Sequence, residues 1–418
     1  MAPVVPHHPG EREISLVILY DQPIDVHFPA HYRDVYLGLL SGRGVGTCLV
    51  AGAQSLNSDA AVEASARGAV VYRRRARKSL FSILHRELTV LSRLTARAVR
   101  DKRVRRTDVV LVHDDPVQAL IALMFCRAFG RGFVYRISHL KPETVQLSGG
   151  AIRFGVASLA ARLRNWLLRR ADAVVSMSAA MASYLVDVAK VQRARVTVVA
   201  SCIDTDHAPP CEASPEIVRQ LAAKACRRWA VYAGIINDVR GLEFLLDVAA
   251  SDVLLREDFG LVVAGVSHDR SAVHQYGVSV VLRGLDDRVI VLSHLSEAEL
   301  GYVLSQCDVG LSPYPENAVF QCNSPVKSLE YLWAGLPVVG TAVDDQVCVI
   351  QSTGAGRIVA RRANQFARAI VDVSRGRPSV DWLEVRAWIR THRSLGSAAD
   401  ALVAAVRDAA AVAGARAR

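Results

Sequence analysis

The sequence predicts an α/β protein made of two doubly wound, parallel-sheet domains. Three observations carry this. Short runs rich in Val, Ile and Leu alternate with helical stretches, the alternation pauses around Pro209-Pro210 and restarts, and the chain ends in a long helical stretch with no strand after it. Strands that are apolar on both faces, with helices between them, mark parallel sheets covered on both sides. A length of 418 residues is enough for two domains that each bury a core.

In chain order, the first-half strands are expected at 15–20, 47–51, 69–72, 109–113, 133–137, 173–177 and 196–200. Helices fill the gaps. One over 32–41 ends at the breaker Gly42-Arg43-Gly44, and another covers 152–170. The strand at 196–200 runs into Cys202-Ile203-Asp204-Thr205-Asp206 and the two prolines, a linker composition. Strands resume at 229–233, 260–264, 289–292, 309–312, 337–340 and 356–359, with helices over 241–250, 297–306 and 324–333. The domains are therefore set at 1–207 and 208–380. A helical segment, 381–418, is expected to pack back towards the first. Two such sheets facing each other would place a ligand in the cleft where both sets of strand C-termini meet.

Composition narrows the class. The apolar runs are shorter than the roughly 20 residues a bilayer span needs. The start, MAPVVPHHPGERE, lacks a charged segment followed by an apolar block, so a cytoplasmic location is expected, with His7-His8 as tail residues. Eight cysteines are scattered singly with no C-x-x-C pair, which argues against a zinc framework or a disulfide scaffold. The net charge of +11 is uneven. Arg73, Arg74, Arg75, Arg77 and Lys78 open a basic stretch that continues to Arg106, interleaved at helical spacing with Leu80, Phe81, Ile83, Leu84, Leu88, Leu91 and Leu94. Such a helix either lies on an anionic membrane surface or is a solvated helix with one face in the core, and both readings stay open. No recognition motif accompanies the charge, so nucleic acid is not an expected partner.

The richest segment runs from Ser324 to Gly340, SPVKSLEYLWAGLPVVG. Ser324 reads as a helix N-cap, Pro325 as the first helical residue, Gly335 as the stop, and Pro337 as the bar to continuation. A helix N-terminus attracts anions, and Lys327 in the first turn would suit a bound phosphate. Glu330 shares the face of Lys327 and could accept hydrogen bonds from ribose hydroxyls. The same two residues are equally an ordinary surface pair at i, i+3.

This segment resembles the donor-binding signature of the retaining family 4 glycosyltransferases of bacteria, which share the GT-B architecture of two facing Rossmann-like domains. The block Ala233-Gly-Ile-Ile-Asn-Asp-Val-Arg-Gly-Leu-Glu-Phe-Leu-Leu246 is similar to the family's strand–glycine–loop–basic–glycine–helix block. Val262-Val-Ala-Gly265, Asp287 to His294, Cys307 to Tyr314 and, in the first half, Leu167 to Met181 follow in the family's order. The resemblance implies that Gly234, Arg240, Ser324 and Lys327 hold the donor diphosphate and Glu330 the ribose. It puts His139, just past the strand at 133–137, on the donor sugar and acceptor as the catalytic histidine; a histidine there is otherwise one satisfied by loop backbone. His113-Asp114-Asp115 at another strand end suggests Asp114 as an acceptor contact.

Two positions depart from the family pattern. Cys322 stands eight residues before Glu330, where the family carries a glutamate, with Asn323 beside it, and both fall where the sugar would lie. Ile235 replaces an arginine. The implied activity is transfer of a sugar from a nucleotide-diphosphate donor, without bound metal or other cofactor, to an acceptor such as a lipid-linked or cell-surface glycan precursor, with the protein cytoplasmic or peripheral on the inner membrane face. Two alternatives stay open: a catalytically silent homologue serving as scaffold or membrane-binding protein, and a nucleotide-sugar epimerase of the same fold.

Overall fold

The computed structural model describes residues 13–24, 30–53, 55–67, 69–73, 107–148, 151–207, 210–223, 226–236, 238–266, 270–293 and 295–418. The chain forms two compact units, Met1–Asp204 with Leu395–Arg418, and Thr205–Ser394.

Unit 1 carries a seven-stranded sheet of β1 (Ile14–Pro23), β2 (Val45–Ala53), β3 (Val70–Arg73), β4 (Thr107–His113), β5 (Gly132–Ile137), β6 (Ala173–Ser176) and β7 (Val196–Val198). Every neighbouring pair is parallel. The order is β3-β2-β1-β4-β5-β6-β7, so the winding reverses between β1 and β4. All the strands expected from the apolar runs are present, with ends that differ by a few residues. Leu16, Ile18, Leu111 and Val134 alternate into one face of the sheet and are fully buried there. The helix expected at 32–41 is less regular: a turn at Ala30–Asp34 passes into a π-helical turn, Val35–Leu39, and a short 3₁₀ turn, Ser41–Arg43.

Unit 2 repeats the plan with a six-stranded parallel sheet, β10-β9-β8-β11-β12-β13. Its strands are β8 (Arg228–Ile235), β9 (Phe259–Val266), β10 (Val289–Ser293), β11 (Val309–Ser312), β12 (Val338–Gly340) and β13 (Gly356–Ile358). Here the winding reverses between β8 and β11.

The C-terminal segment corrects the expected boundary at 380/381. It is two helices, Trp382–His392 and Leu395–Ala417, and the chain changes unit between Ser394 and Leu395. The first helix stays with unit 2 because its basic face is tied there. Arg386 Nε donates to the Trp333 carbonyl at 3.3 Å, Arg390 lies 5.4 Å from the Trp333 ring centroid, and Arg393 pairs with Asp345. The second helix fills a groove of the unit 1 core with Leu402, Ala405, Val406 and Ala409, all fully buried, and Arg416 pairs with the buried Asp172. Among the described residues no helix is long and apolar enough to cross a membrane. His7, His8 and the basic stretch from 74 to 106 lie outside the described residues.

Candidate active site

In unit 2 the predicted donor residues gather at the C-terminal ends of β8 and β11, the point where the winding reverses and where open α/β sheets take ligands. At Gly234, near the end of β8, a Cβ would lie 2.8 Å from the Tyr232 hydroxyl and would force that side chain to shift. That hydroxyl donates to the Ile235 carbonyl at 3.0 Å and fixes the strand end. The chain then turns through Asp238–Arg240, and the Arg240 guanidinium lies 4.8 Å from the ring centroid of Tyr314, in the loop after β11.

Arg361 locks these loops together. Its Nη2 donates to the carbonyls of Arg240, at 3.2 Å, and Gly241, its Nε donates to Pro313 O at 3.2 Å, and its guanidinium lies 4.5 Å from the Phe244 ring centroid. Burial holds the Arg361 pKa below its ordinary value. The backbone N–H of Arg361 also donates to Glu316 Oε1 at 3.2 Å. Sequence reading missed Arg361 and Tyr314 because no local pattern links either to Arg240.

The signature helix spans Val326–Trp333, and here the expected cap is corrected. Pro325, not Ser324, occupies the N-cap, and it makes no side-chain cap hydrogen bond. The Ser324 hydroxyl donates instead to Asp345 Oδ2 at 2.6 Å. This charge-assisted bond turns the hydroxyl proton towards Asp345. The helix ends as expected at Gly335, which has φ 81°. Tyr331, fully buried, accepts the Ala233 N–H at 2.6 Å and so holds the helix against the end of β8.

Lys327 Nζ donates to Glu330 Oε2 at 2.6 Å, with the two side chains 30% and 32% exposed. The two predicted donor contacts therefore face each other as an i, i+3 pair. At that exposure such a pair contributes about 0–1 kcal/mol and opens readily for a ligand. Cys322 is buried at the end of the short helix Ala318–Gln321, and the Asn323 N–H donates to Phe320 O at 3.0 Å.

Behind this helix two further side chains set its position. Arg393 Nη2 donates to Asp345 Oδ1 at 2.6 Å, with both side chains 9% exposed. The fully buried Gln346 accepts from Ser328 Oγ at 2.8 Å and donates to the carbonyls of Ser312, at 3.2 Å, and Thr341, at 2.8 Å.

In unit 1, His139 is exposed in the loop after β5. The helix that follows, Lys141–Ser148, is fixed through Glu143, which accepts two 2.8 Å bonds from Arg164 and one of 2.9 Å from Tyr184. Burial raises the Glu143 pKa, but those bonds outweigh it and hold the carboxyl below its ordinary value. Asp114 is buried in a left-handed conformation, φ 63°, and its Oδ1 accepts the Ser138 N–H at 2.7 Å. Asp115 is a helix cap, accepting from the N–H groups of Val117 and Gln118 at 2.8 and 3.0 Å. Next to Asp114 the buried His113 meets Ser138 Oγ at 2.8 Å through Nε2.

Comparison with known proteins gives two family matches. Residues 39–207 match the model for Glycosyltransferase Family 4, and residues 227–375 match that for Glycosyl transferases group 1. No curated protein sequence matches the chain. Among solved structures, sucrose-phosphate synthase from Thermosynechococcus elongatus superposes with a TM-score of 0.71 at 15% identity, covering 95% of this chain and 100% of that one. HepE from Anabaena, in complex with UDP and glucose, gives 0.64 at 14% identity over 94% of this chain and 99% of its own. WaaG, a glycosyltransferase involved in lipopolysaccharide biosynthesis, gives 0.60 at 17% identity over 94% and 98%. At these identities the structural likeness establishes the fold.

Proposed function

This chain is a glycosyltransferase of the family 4 kind with the GT-B fold, and we propose that it moves a sugar from a nucleotide-diphosphate donor to an acceptor with retention at the anomeric carbon. One observation carries the donor assignment. At the β8/β11 reversal, Arg240 is held on Tyr314, in the same unit as a signature helix whose N-cap residue, Pro325, makes no side-chain cap. Positively charged and N–H donors fixed in advance suit a diphosphate leaving group, whose charge grows in the transition state. Lys327 swings from Glu330 to the phosphates, and Glu330 takes the ribose hydroxyls.

In a front-face reaction the departing phosphate oxygen accepts the proton of the acceptor hydroxyl, so no protein nucleophile is required. His139 donates a hydrogen bond to the sugar or acceptor. The structural neighbour HepE binds UDP and glucose, which supports a nucleoside diphosphate sugar as donor. The purified protein is to be screened with nucleotide sugars for release of nucleoside diphosphate, and the product anomer read by proton NMR. An inverted product would remove the retaining mechanism; no release or transfer with any donor would remove the enzyme reading.

An acceptor on an anionic membrane would be met by the basic stretch that begins at Arg73. Sedimentation with phosphatidylglycerol vesicles at low salt reports that attachment, and full recovery in the supernatant excludes it.

A further inference from the structure

Unit 1 holds a buried charge with no counter-charge among the described residues. Arg136 on β5 is 5% exposed, and among the described residues no carboxylate forms an ion pair with it. Its Nε has no hydrogen-bond partner. The guanidinium lies 4.8 Å from the ring centroid of Tyr32 and 6.0 Å from that of Tyr36. The Tyr36 hydroxyl is also buried without a hydrogen-bond partner, and burial holds its pKa well above the ordinary value, so it is neutral at pH 7. The nearby Asp114 carboxylate forms no ion pair with Arg136: its Oδ1 accepts the Ser138 N–H at 2.7 Å, and its Oδ2, which has no hydrogen bond, lies 3.9 Å from Lys141 Nζ.

An arginine cannot relieve burial by losing its proton, as lysine or histidine can. A buried, uncompensated guanidinium therefore costs stability, and it is retained where a ligand supplies the opposite charge. Its location agrees. Arg136 is the register partner of His113, and His113 that of Tyr20, so the three residues sit side by side on β5, β4 and β1. They straddle the β1/β4 reversal, the position in this sheet equivalent to the donor site in the other. Polar groups converge there: Tyr32 Oη donates to Ser138 Oγ at 3.1 Å, Ser138 Oγ meets His113 Nε2 at 2.8 Å, and the His113 ring stacks on Tyr20 with centroids 5.1 Å apart.

We propose that this cluster binds an oxyanion carried by the acceptor, a phosphate or carboxylate group, with Arg136 as its counter-charge and the Tyr32 and Ser138 hydroxyls as hydrogen-bonding partners. The guanidinium fork suits either group. The assignment of the oxyanion to the acceptor rests on the glycosyltransferase reading; the anion site itself does not.

The test is thermal melting of the full chain in inorganic phosphate, in sodium glucuronate, and in sodium chloride of matched ionic strength. All variants carry Arg240→Ala together with Lys327→Ala, so that phosphate binding at the donor site is weakened in every arm alike. With Arg136 present, phosphate or glucuronate is expected to raise Tm above the chloride value, and whichever does so identifies the anion class. Arg136→Met, which removes the buried charge at similar volume, is expected to melt at or above its parent in chloride and to lose the anion response. Arg136→Lys keeps a charge without the fork, and its half-saturating anion concentration is expected to rise about tenfold. No anion response in the parent, or an unchanged response in Arg136→Lys or Arg136→Met, overturns the proposal. Nucleoside diphosphate binding to the chain with Arg240 and Lys327 intact is measured separately, so failure of the donor reading is seen on its own.

Discussion

Replacing Arg393 by Met should destabilise unit 2 far more than an ordinary surface change, and the structure gives the size. Asp345 is 9% exposed and its side chain accepts three hydrogen bonds from the described residues, from Ser324 Oγ at 2.6 Å and from Arg393 Nη2 at 2.6 Å and Nη1 at 3.4 Å. Arg393→Met removes two of the three and all of the opposing charge. Removing one partner of a buried pair costs about 3–5 kcal/mol, because the remaining ion stays desolvated. In a domain of this size each kcal/mol moves Tm by roughly 2–4 °C, so the transition of unit 2 should fall by about 6–20 °C. Arg393→Met with Asp345→Leu removes both charges and should recover most of that loss. The double variant still leaves the Ser324 hydroxyl without its acceptor, so nucleoside diphosphate binding should weaken up to about tenfold even though the fold is restored. Calorimetry of the full chain separates the two units' transitions, and titration calorimetry measures the nucleotide. A single variant melting within about 2 °C of the parent would refute the reasoning, as would a double variant no more stable than the single.

Three further outcomes test the donor and acceptor assignments. Arg240→Ala and Lys327→Ala should each weaken nucleoside diphosphate binding by about 1.5–3 kcal/mol, with less than additive loss when combined, as read by titration calorimetry; unchanged affinity in both would move the diphosphate elsewhere. Glu330→Gln keeps the size and removes the charge, so donor and free nucleotide should weaken together, whereas normal nucleotide affinity with lost turnover would place Glu330 on the sugar. His139→Ala should lower kcat by roughly a hundredfold or more while nucleotide affinity holds; unchanged turnover at saturating donor and acceptor would make His139 an ordinary loop residue.

What was legible in the sequence was what is local. Val109, Val110, Leu111 and Val112 are all fully buried, and an unbroken apolar run of that kind announces a two-sided parallel strand wherever it occurs. The stop at Gly335 was equally local. The position of Ser324 was readable but its partner was not. A serine before a helix is normally a cap, and nothing nearby announces that its hydroxyl donates to Asp345, 21 residues on. Arg361 reaches the Gly241 carbonyl across 120 residues, and Tyr331 reaches Ala233 across 98. Periodicity cannot report such contacts, because it records which face a residue occupies and not what stands opposite. The C-terminal break failed for a related reason. Helical spacing continues through Arg393, and only the ion pair with Asp345 shows why the first helix stays in unit 2.

The places where local rules fail also say where the chemistry lies. Three described non-glycine residues have positive φ, Asp114, Lys190 and Asp258, and of these only Asp114 is buried. Lys190 and Asp258 close turns between elements, where a left-handed residue is an ordinary solution and the surrounding loop can adjust. Asp114 has no such freedom. Its backbone N–H donates to the Arg136 carbonyl at 3.0 Å and its carboxylate takes the Ser138 N–H, so the strained residue is held at the end of β4 by the C-terminal end of the neighbouring strand β5. Strain of this kind persists only where the surroundings over-determine it. Here it stands at the β1/β4 reversal beside Arg136, whose buried charge breaks a second local rule. In unit 2 the comparable exceptions, Arg240 on Tyr314 and the buried Asp345–Arg393 pair, surround the β8/β11 reversal and the helix that follows it. Stability alone would favour an apolar residue in place of Arg136 and a glycine in place of Asp114. Their presence at the one point in the sheet where the winding opens a crevice is the physical ground for placing a ligand there.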